Sequence, residues 1–285
     1  GFSMSGGGAD LNYTDDELDS YETIWDGEVT STKKSDHKRV VTALKNISEG
    51  NDLETYMDID NLLRYMAVHV FSVNEDSLSG MMAHNYYLYE SGGKLNLIPW
   101  DYNLALGGMG GSSDATSVVN DAIDNAFSGT NFFDTLMEDE TYHSQYYTYL
   151  QQLVSEYIDG GGFDAFYERV RSQIDELVKT DPTAFYSYDE YLTAADTLYQ
   201  VVKLRGQSIQ GQLDGSIPST EEAQRSSDAL VDASTLDISV MGSMNTGGGG
   251  GGFGFNAPTA SENTSDTPDA AQDTSETQTA PDASA

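Results

Sequence analysis

Residues 73–108 read VNEDSLSGMMAHNYYLYESGGKLNLIPWDYNLALGG, and the order of polar groups in this stretch decides the fold. An acid, Asp76, sits in a polar loop that follows an apolar helical segment. An amide, Asn85, opens the run NYYLY. Ser91-Gly92-Gly93 then turns the chain, KLNLIPW returns it, and Pro99 ends the ladder just before a second acid, Asp101. Alternation around a Gly-Gly turn predicts a β-hairpin over about 85–100. A hairpin of this kind brings Asn85 and Asp101 together although sixteen residues separate them.

Outward from the hairpin the periodicity is helical. SDHKRVVTALKNIS (35–48) places apolar residues at 40, 41, 44 and 47, with Ser35 or Asp36 as N-cap and Gly50 as stop. DNLLRYMAVHV (60–70) predicts a second helix capped by Asp58 or Asp60. Further helices are expected at about 139–158, 163–179 and 188–213, the last two separated by Asp181-Pro182. Leu198, Val201, Val202, Leu204 and Ile209 form the expected core face of the last. Residues 107–131 are rich in Gly, Ser, Asp and Asn and predict a long surface loop. The fold class is therefore α+β, mainly helical, with a central hairpin.

The boundaries follow composition. Residues 1–8 are Gly-rich and flexible in expectation, and the opening GFSMSGGGAD, without an initiator Met or signal peptide, reads as a truncated start. Residues 9–225 form the folded domain. Residues 226–285 contain no Lys or Arg, nine acids and a six-Gly run, a composition that predicts disorder.

Charge excludes several functions. The 285 residues hold 47 acids and 13 bases, for a net charge of −34; removing the nine tail acids still leaves about −25. Nucleic acid and anionic membranes need a positive footprint, which this chain lacks. A polyphosphate ligand needs divalent cations to screen it, and carboxylates supply their ligands. There is no cysteine, so disulfides, thiolate metal sites and a Cys nucleophile are excluded. No stretch is apolar enough over a membrane-spanning length.

Loop Asp, then Asn, then a strand pair, then a second Asp is the order of groups that phosphoryl transfer uses. One carboxylate orients the attacking hydroxyl and accepts its proton; an amide oxygen and a second carboxylate hold divalent ions on the phosphates. The same order occurs in many folds, where Asp76 caps a turn, Asn85 starts a strand and Asp101 ends one. His69 and His84 lie beside aromatic or apolar neighbours and read as buried, satisfied histidines rather than zinc ligands. Trp100 and Tyr86, Tyr87 and Tyr89 read as core and hairpin packing, with Tyr89 or Tyr102 a candidate to face a base. Arg205 reads as one half of a structural ion pair. Asp15, Asp16, Glu17 and Asp19 read as a solvated face. Neither GGMGGSS nor GGGGGGFGF ends in the GK[ST] of a phosphate loop.

The wording HNYYLY, followed by GKLNLIPWDYNLALGG, resembles the CotH-type kinase family, named for a spore coat protein. ADLNYTDDELDSY, IWDGEVT and LRGQSIQGQLDGSIPST (204–220) resemble it too, so that the likeness covers roughly residues 9–225. The resemblance implies the large lobe of an atypical, extracellular or spore-associated protein kinase. It implies ATP with Mg²⁺ or Mn²⁺, a Ser/Thr hydroxyl of a coat or surface protein as acceptor, Asp76 as the catalytic-loop Asp, and Asn85 and Asp101 as nucleotide-metal ligands. Asn103 stands where family members often have Asp, and as a metal ligand it brings no charge. Glu75 stands where they often have a small residue. The nucleotide-clamping lobe that precedes the catalytic loop in this family is expected to be missing here. The alternative is a non-catalytic cell-surface or spore-coat module, with calcium-dependent adhesion as a third reading.

Overall fold

A computed structural model describes residues 8–80, 82–108, 114–124, 130 and 132–242. It is α+β: long helices surround one antiparallel hairpin. Helix α1 spans Lys34–Ser48 and buries Val40, Val41, Ala43, Leu44 and Ile47, one stripe at helical spacing. Its N-cap is Lys33 rather than Ser35 or Asp36. Asp36 instead accepts the Lys33 N–H at 2.8 Å, so an acid three residues further in satisfies the N-cap's own N–H. Gly50 stops the helix with φ +69°. Helix α2 spans Ile59–Ser72, is capped by Asp58, and buries Leu62, Leu63, Met66, Ala67 and Val70.

Strand β1 (Tyr86–Ser91) pairs with β2 (Lys94–Pro99), with Tyr86 opposite Pro99 and Ser91 opposite Lys94. Gly92 and Gly93 both have positive φ, as a tight two-residue turn requires. Leu95 and Leu97 face the core. Asn61 locks the outer edge of β2 to α2: its Nδ2 donates to the Leu97 carbonyl at 3.1 Å and its Oδ1 accepts the Leu97 N–H at 2.8 Å. The tyrosine run packs only in part as expected, with Tyr87 stacked on Trp100 across the hairpin. Tyr86 faces inward, but Tyr87, Tyr89, Ile98 and Trp100 are 45–55% exposed on the other face. Strand period two splits a run in which both faces are aromatic.

Residues 107–131 are not one structureless loop. Helix α3 (Ala115–Val119), capped by Asp114, buries Ala115, Val118 and Val119 within it; residues 109–113, 125–129 and 131 lie outside the described residues. The helix expected at 139–158 is present as α4 at Glu140–Gln152 running directly into a π-helical stretch at Leu153–Ile158, where Val154 and Ile158 are buried; a separate short helix at Asp134–Glu138 precedes it. Helices α5 (Gly162–Thr180) and α6 (Tyr188–Asp214) flank Pro182. On α6, Val201, Val202 and Ile209 are buried as expected, whereas Leu198 is exposed. The stretch from 226 on also departs from expectation. Through Gly242 it is packed, with Ala233 and Ile238 buried, because a few apolar side chains meet an existing core rather than having to build one. Residues 1–7 and 243–285 lie outside the described residues.

Two cores result. The first joins α1, α2, the inner hairpin face and α4. The second joins Val73, Leu106, α3, Ile158, Phe163, Val201, Val202, Ala233 and Ile238. Arg205, fully buried, lies between them. It donates to the carbonyls of Val70 (2.8 Å), Phe71 (3.3 Å), Val119 (3.1 Å) and Asp121 (2.6 Å). The expected ion pair is secondary: the Asp121 carboxylate is 3.7 Å away. Burial lowers the Arg205 pKa and raises that of Asp121, each against the pull of the other. Arg205 thus acts chiefly as a cap on the carbonyl end of α2, which is polar and faces the second core.

Candidate active site

The loop after α2 is built to be rigid. Val73 ends the helix with φ +47°, a costly conformation for a β-branched residue. Asn74 N–H returns to the His69 carbonyl at 3.1 Å. Ser77 Oγ donates to the Asn74 carbonyl at 2.6 Å, and Leu78, fully buried, gives its N–H to the Tyr65 hydroxyl at 3.2 Å. Gly80 lies directly on the Glu75 carbonyl, where a Cβ would come within 1.8 Å of the oxygen, so only glycine fits. The polar loop therefore holds Asp76 at a fixed place with its side chain 14% exposed.

Asn85 reaches Asp76 directly. Its Nδ2 donates to the Asp76 carbonyl and to Asp76 Oδ2, both at 2.8 Å. The Asn85 carbonyl accepts the Trp100 N–H at 3.0 Å, which extends the hairpin by one pair and sets Asp101 just beyond it. Both Asn85 (φ +57°) and Asp101 (φ +54°) occupy the left-handed region that Asn and Asp tolerate best. Asp101 Oδ1 accepts the Asn103 N–H at 3.4 Å, and both residues are exposed.

Burial raises the Asp76 pKa, and the negative charge of Asp101 raises it further; the Asn85 hydrogen bond and His84 pull the other way. His84 Nδ1 is 3.6 Å from Asp76 Oδ1 and its side chain is 30% exposed. His84 is therefore a partly exposed neighbour of the loop carboxylate and not a buried, satisfied histidine. Its position one residue before Asn85 was the only sequence signal for it.

Other residues fall elsewhere. The charge of Glu75 acts on Asp121. Arg39 pairs with Asp36 and Glu90, and Lys45 with Asp16, so the bases of α1 that are paired serve the surface. Among the described residues, no group of three or more His, Cys, Asp or Glu side chains is gathered to hold a metal. A divalent cation here would draw its ligands from the Asp101 carboxylate, the amide oxygens of Asn85 and Asn103, and bound phosphate. The donor set fits such an ion: it is all hard oxygen, the neighbouring Asp76 carboxylate feels the negative charge of Asp101, and no Lys or Arg among the described residues forms an ion pair with either acid.

A model of the CotH kinase protein family matches residues 4–209. The chain belongs to this family. The matched span contains α1, α2, the hairpin, Asp76, Asn85 and Asp101, and ends at Ile209 inside α6. No curated protein matches the chain. Within this CotH-family domain no described helix is long and apolar enough to cross a membrane.

His69, beneath the site, is 2% exposed. It stacks on Tyr65 at 3.8 Å and lies 5.2 Å from the Tyr102 ring. Its Nδ1 donates to the Tyr65 carbonyl at 2.7 Å, and buried Nε2 has no partner, so the histidine expected to be satisfied is only half so. Burial lowers its pKa to about 4, partly opposed by the Tyr65 carbonyl. The unfolded chain, with an ordinary histidine near 6.5, binds the proton first. Stability is then complete above pH 6.5 and is lost as pH falls toward 4, by about 3 kcal/mol over the whole window. Urea midpoints for the protein and His69→Phe check this: the variant is expected to lose most of the slope between pH 6.5 and 4.

Proposed function

We propose that this domain is the large lobe of an atypical protein kinase that moves the γ-phosphoryl of ATP to a Ser or Thr hydroxyl of a protein. The observation that carries the reading is the Asn85 bridge to Asp76, with Asp101 close enough for its charge to be felt there. Asp76 orients the acceptor hydroxyl and takes its proton as the new O–P bond forms and the bond to the β-phosphate oxygen breaks. Its raised proton affinity suits that role. Asn85 Nδ2 fixes the carboxylate, so the rotamer is set before substrate arrives. Asn85 Oδ1, Asp101 and Asn103 would hold Mg²⁺ or Mn²⁺, which supplies the positive charge that phosphate needs beside so many carboxylates. Trp100 and Tyr87, stacked at 5.9 Å on the exposed hairpin face, offer an aromatic surface for the base.

The family and its spore-coat association favour an extracellular or coat location and a coat or surface protein as acceptor. The second reading is a non-catalytic surface module. It is favoured by the exposed patch of Tyr87, Tyr89, Ile98 and Trp100, which equally suits contact with a protein. Transfer of label from [γ-³²P]ATP to a serine/threonine peptide library by the parent protein with its nucleotide-clamping lobe separates the two. Incorporation that requires Mg²⁺ or Mn²⁺ supports the kinase; a chain that binds protein through this patch and transfers no label supports the module.

A further inference from the structure

The family match stops at Ile209, yet the chain beyond it returns to the neighbourhood of the site. The Asn120 side chain, in a residue 2% exposed, accepts the Val231 N–H at 3.0 Å and donates to the Val231 carbonyl at 2.8 Å. The same carboxamide accepts from Ser208 Oγ on α6 and donates to the Thr116 carbonyl. Every donor and acceptor of this amide is used. Ala233 N–H donates to Thr116 Oγ1 at 3.2 Å, Asp237 pairs with Asp114 as an antiparallel bridge, and Ile238 inserts into the second core. Residues 228–241 are thus a strap laid across α3 and α6.

That second core is also where both loops of the site are rooted. Val73, the residue that turns the chain into the Asp76 loop, is in it. Leu106, three residues after Asn103, is in it as well and ties back through its N–H to the Ser72 carbonyl at 2.8 Å. We infer that the 228–241 strap is a positioning element for the site. By completing the core from which the Asp76 and Asp101 loops both hang, it sets the separation between the two carboxylates. Asn120, which clasps the strap from the end of α3, and Ile238, within the strap, are the positioning residues, and neither touches the reacting groups. This inference rests on the reading of Asp76 and Asp101 as one site.

The test uses the full chain and the variant Ile238→Asp, which puts a charge where the strap is seated, with Ile238→Ala as a milder release should the aspartate unfold the protein. Amide hydrogen exchange is followed at Leu106 and Gly108 in the Asp101 loop, at Val231 and Ala233 in the strap, and at Leu97 in the hairpin. The expected result is faster exchange at Leu106 and Gly108, by at least about tenfold, in step with the strap and with Leu97 unchanged. Mn²⁺ affinity by calorimetry is expected to fall in parallel. Exchange that opens at Val231 and Ala233 while Leu106 and Gly108 keep their protection would overturn the inference. Failure of the phosphotransfer reading shows itself separately, as no Mn²⁺ binding in the unaltered chain, and leaves the exchange comparison standing.

Discussion

Asp76→Asn is expected to stop phosphoryl transfer while making the fold more stable at neutral pH. The amide keeps the shape and can still accept the Asn85 hydrogen bond through its oxygen, but it takes no proton from the acceptor hydroxyl. Loss of a positioned general base costs about 10²–10⁴-fold in rate, and that is the expected fall in kcat. The stability gain follows from the direction of the pKa shift. A raised carboxyl pKa in the folded state means that the native protein holds its proton where the unfolded chain has released it. Stability therefore falls as pH rises through the window just above 3.8, and the charged form at pH 7 is a destabilising one. Asn removes that charge. Thermal midpoints at pH 7 and pH 3.5 check this: the variant is expected to gain at pH 7 and to gain nothing at pH 3.5. A variant that is inactive and less stable at pH 7 would mean that Asp76 holds the loop together and is not a strained catalytic carboxylate.

Arg205→Ala is expected to cost about 4 kcal/mol or more. The carbonyls of residues 70, 71, 119 and 121 each lose a donor at once, those of Val70 and Asp121 keeping a second one from the Val73 N–H and Gln212 Nε2, and the Asp121 carboxylate loses its counter-charge. Each unsatisfied buried acceptor costs about 1–3 kcal/mol, less than additively because the site relaxes, and removal of one side of a buried charged contact costs about 3–5 kcal/mol. Against a typical domain stability of about 5–15 kcal/mol, this is a large share of the whole. Arg205→Lys keeps the charge but cannot reach four carbonyls in the planar fork geometry of a guanidinium, and is expected to recover less than half of the loss. Urea unfolding followed by tyrosine fluorescence measures both. An alanine variant within about 1 kcal/mol of the parent would show that solvent reaches those carbonyls.

How much of this was legible in the sequence varies with the physics involved. The α1 and α2 stripes were plain, since burial at positions 40, 41, 44, 47 and 62, 63, 66, 70 is a periodicity and needs no partner to be named. The hairpin was plain too, because Gly92-Gly93 admits little else. The hairpin that sets Asp101 just beyond Asn85 followed from chain order; the Asn85 hydrogen bond to Asp76 did not. Tyr87 and Tyr89 were misread because strand alternation is hidden when both faces carry aromatics. Arg205 was read as half of an ion pair, since charge complementarity is visible in a sequence and backbone carbonyls are not. The strap was missed for a related reason. Residues 228–241 are too polar to form a core, and only their fit to one already made by α3 and α6 orders them. Composition reports what a segment can build alone.

The whole account turns on Asp101 holding a cation beside the Asp76 carboxylate. Calorimetric titration of Mn²⁺ into the full chain with a non-hydrolysable ATP analogue present, repeated on Asp101→Ala, tests this most directly. One saturable binding event in the parent, weakened by at least about tenfold in the variant, is the predicted result. Equal affinities in the two proteins, or no binding in either, would contradict it.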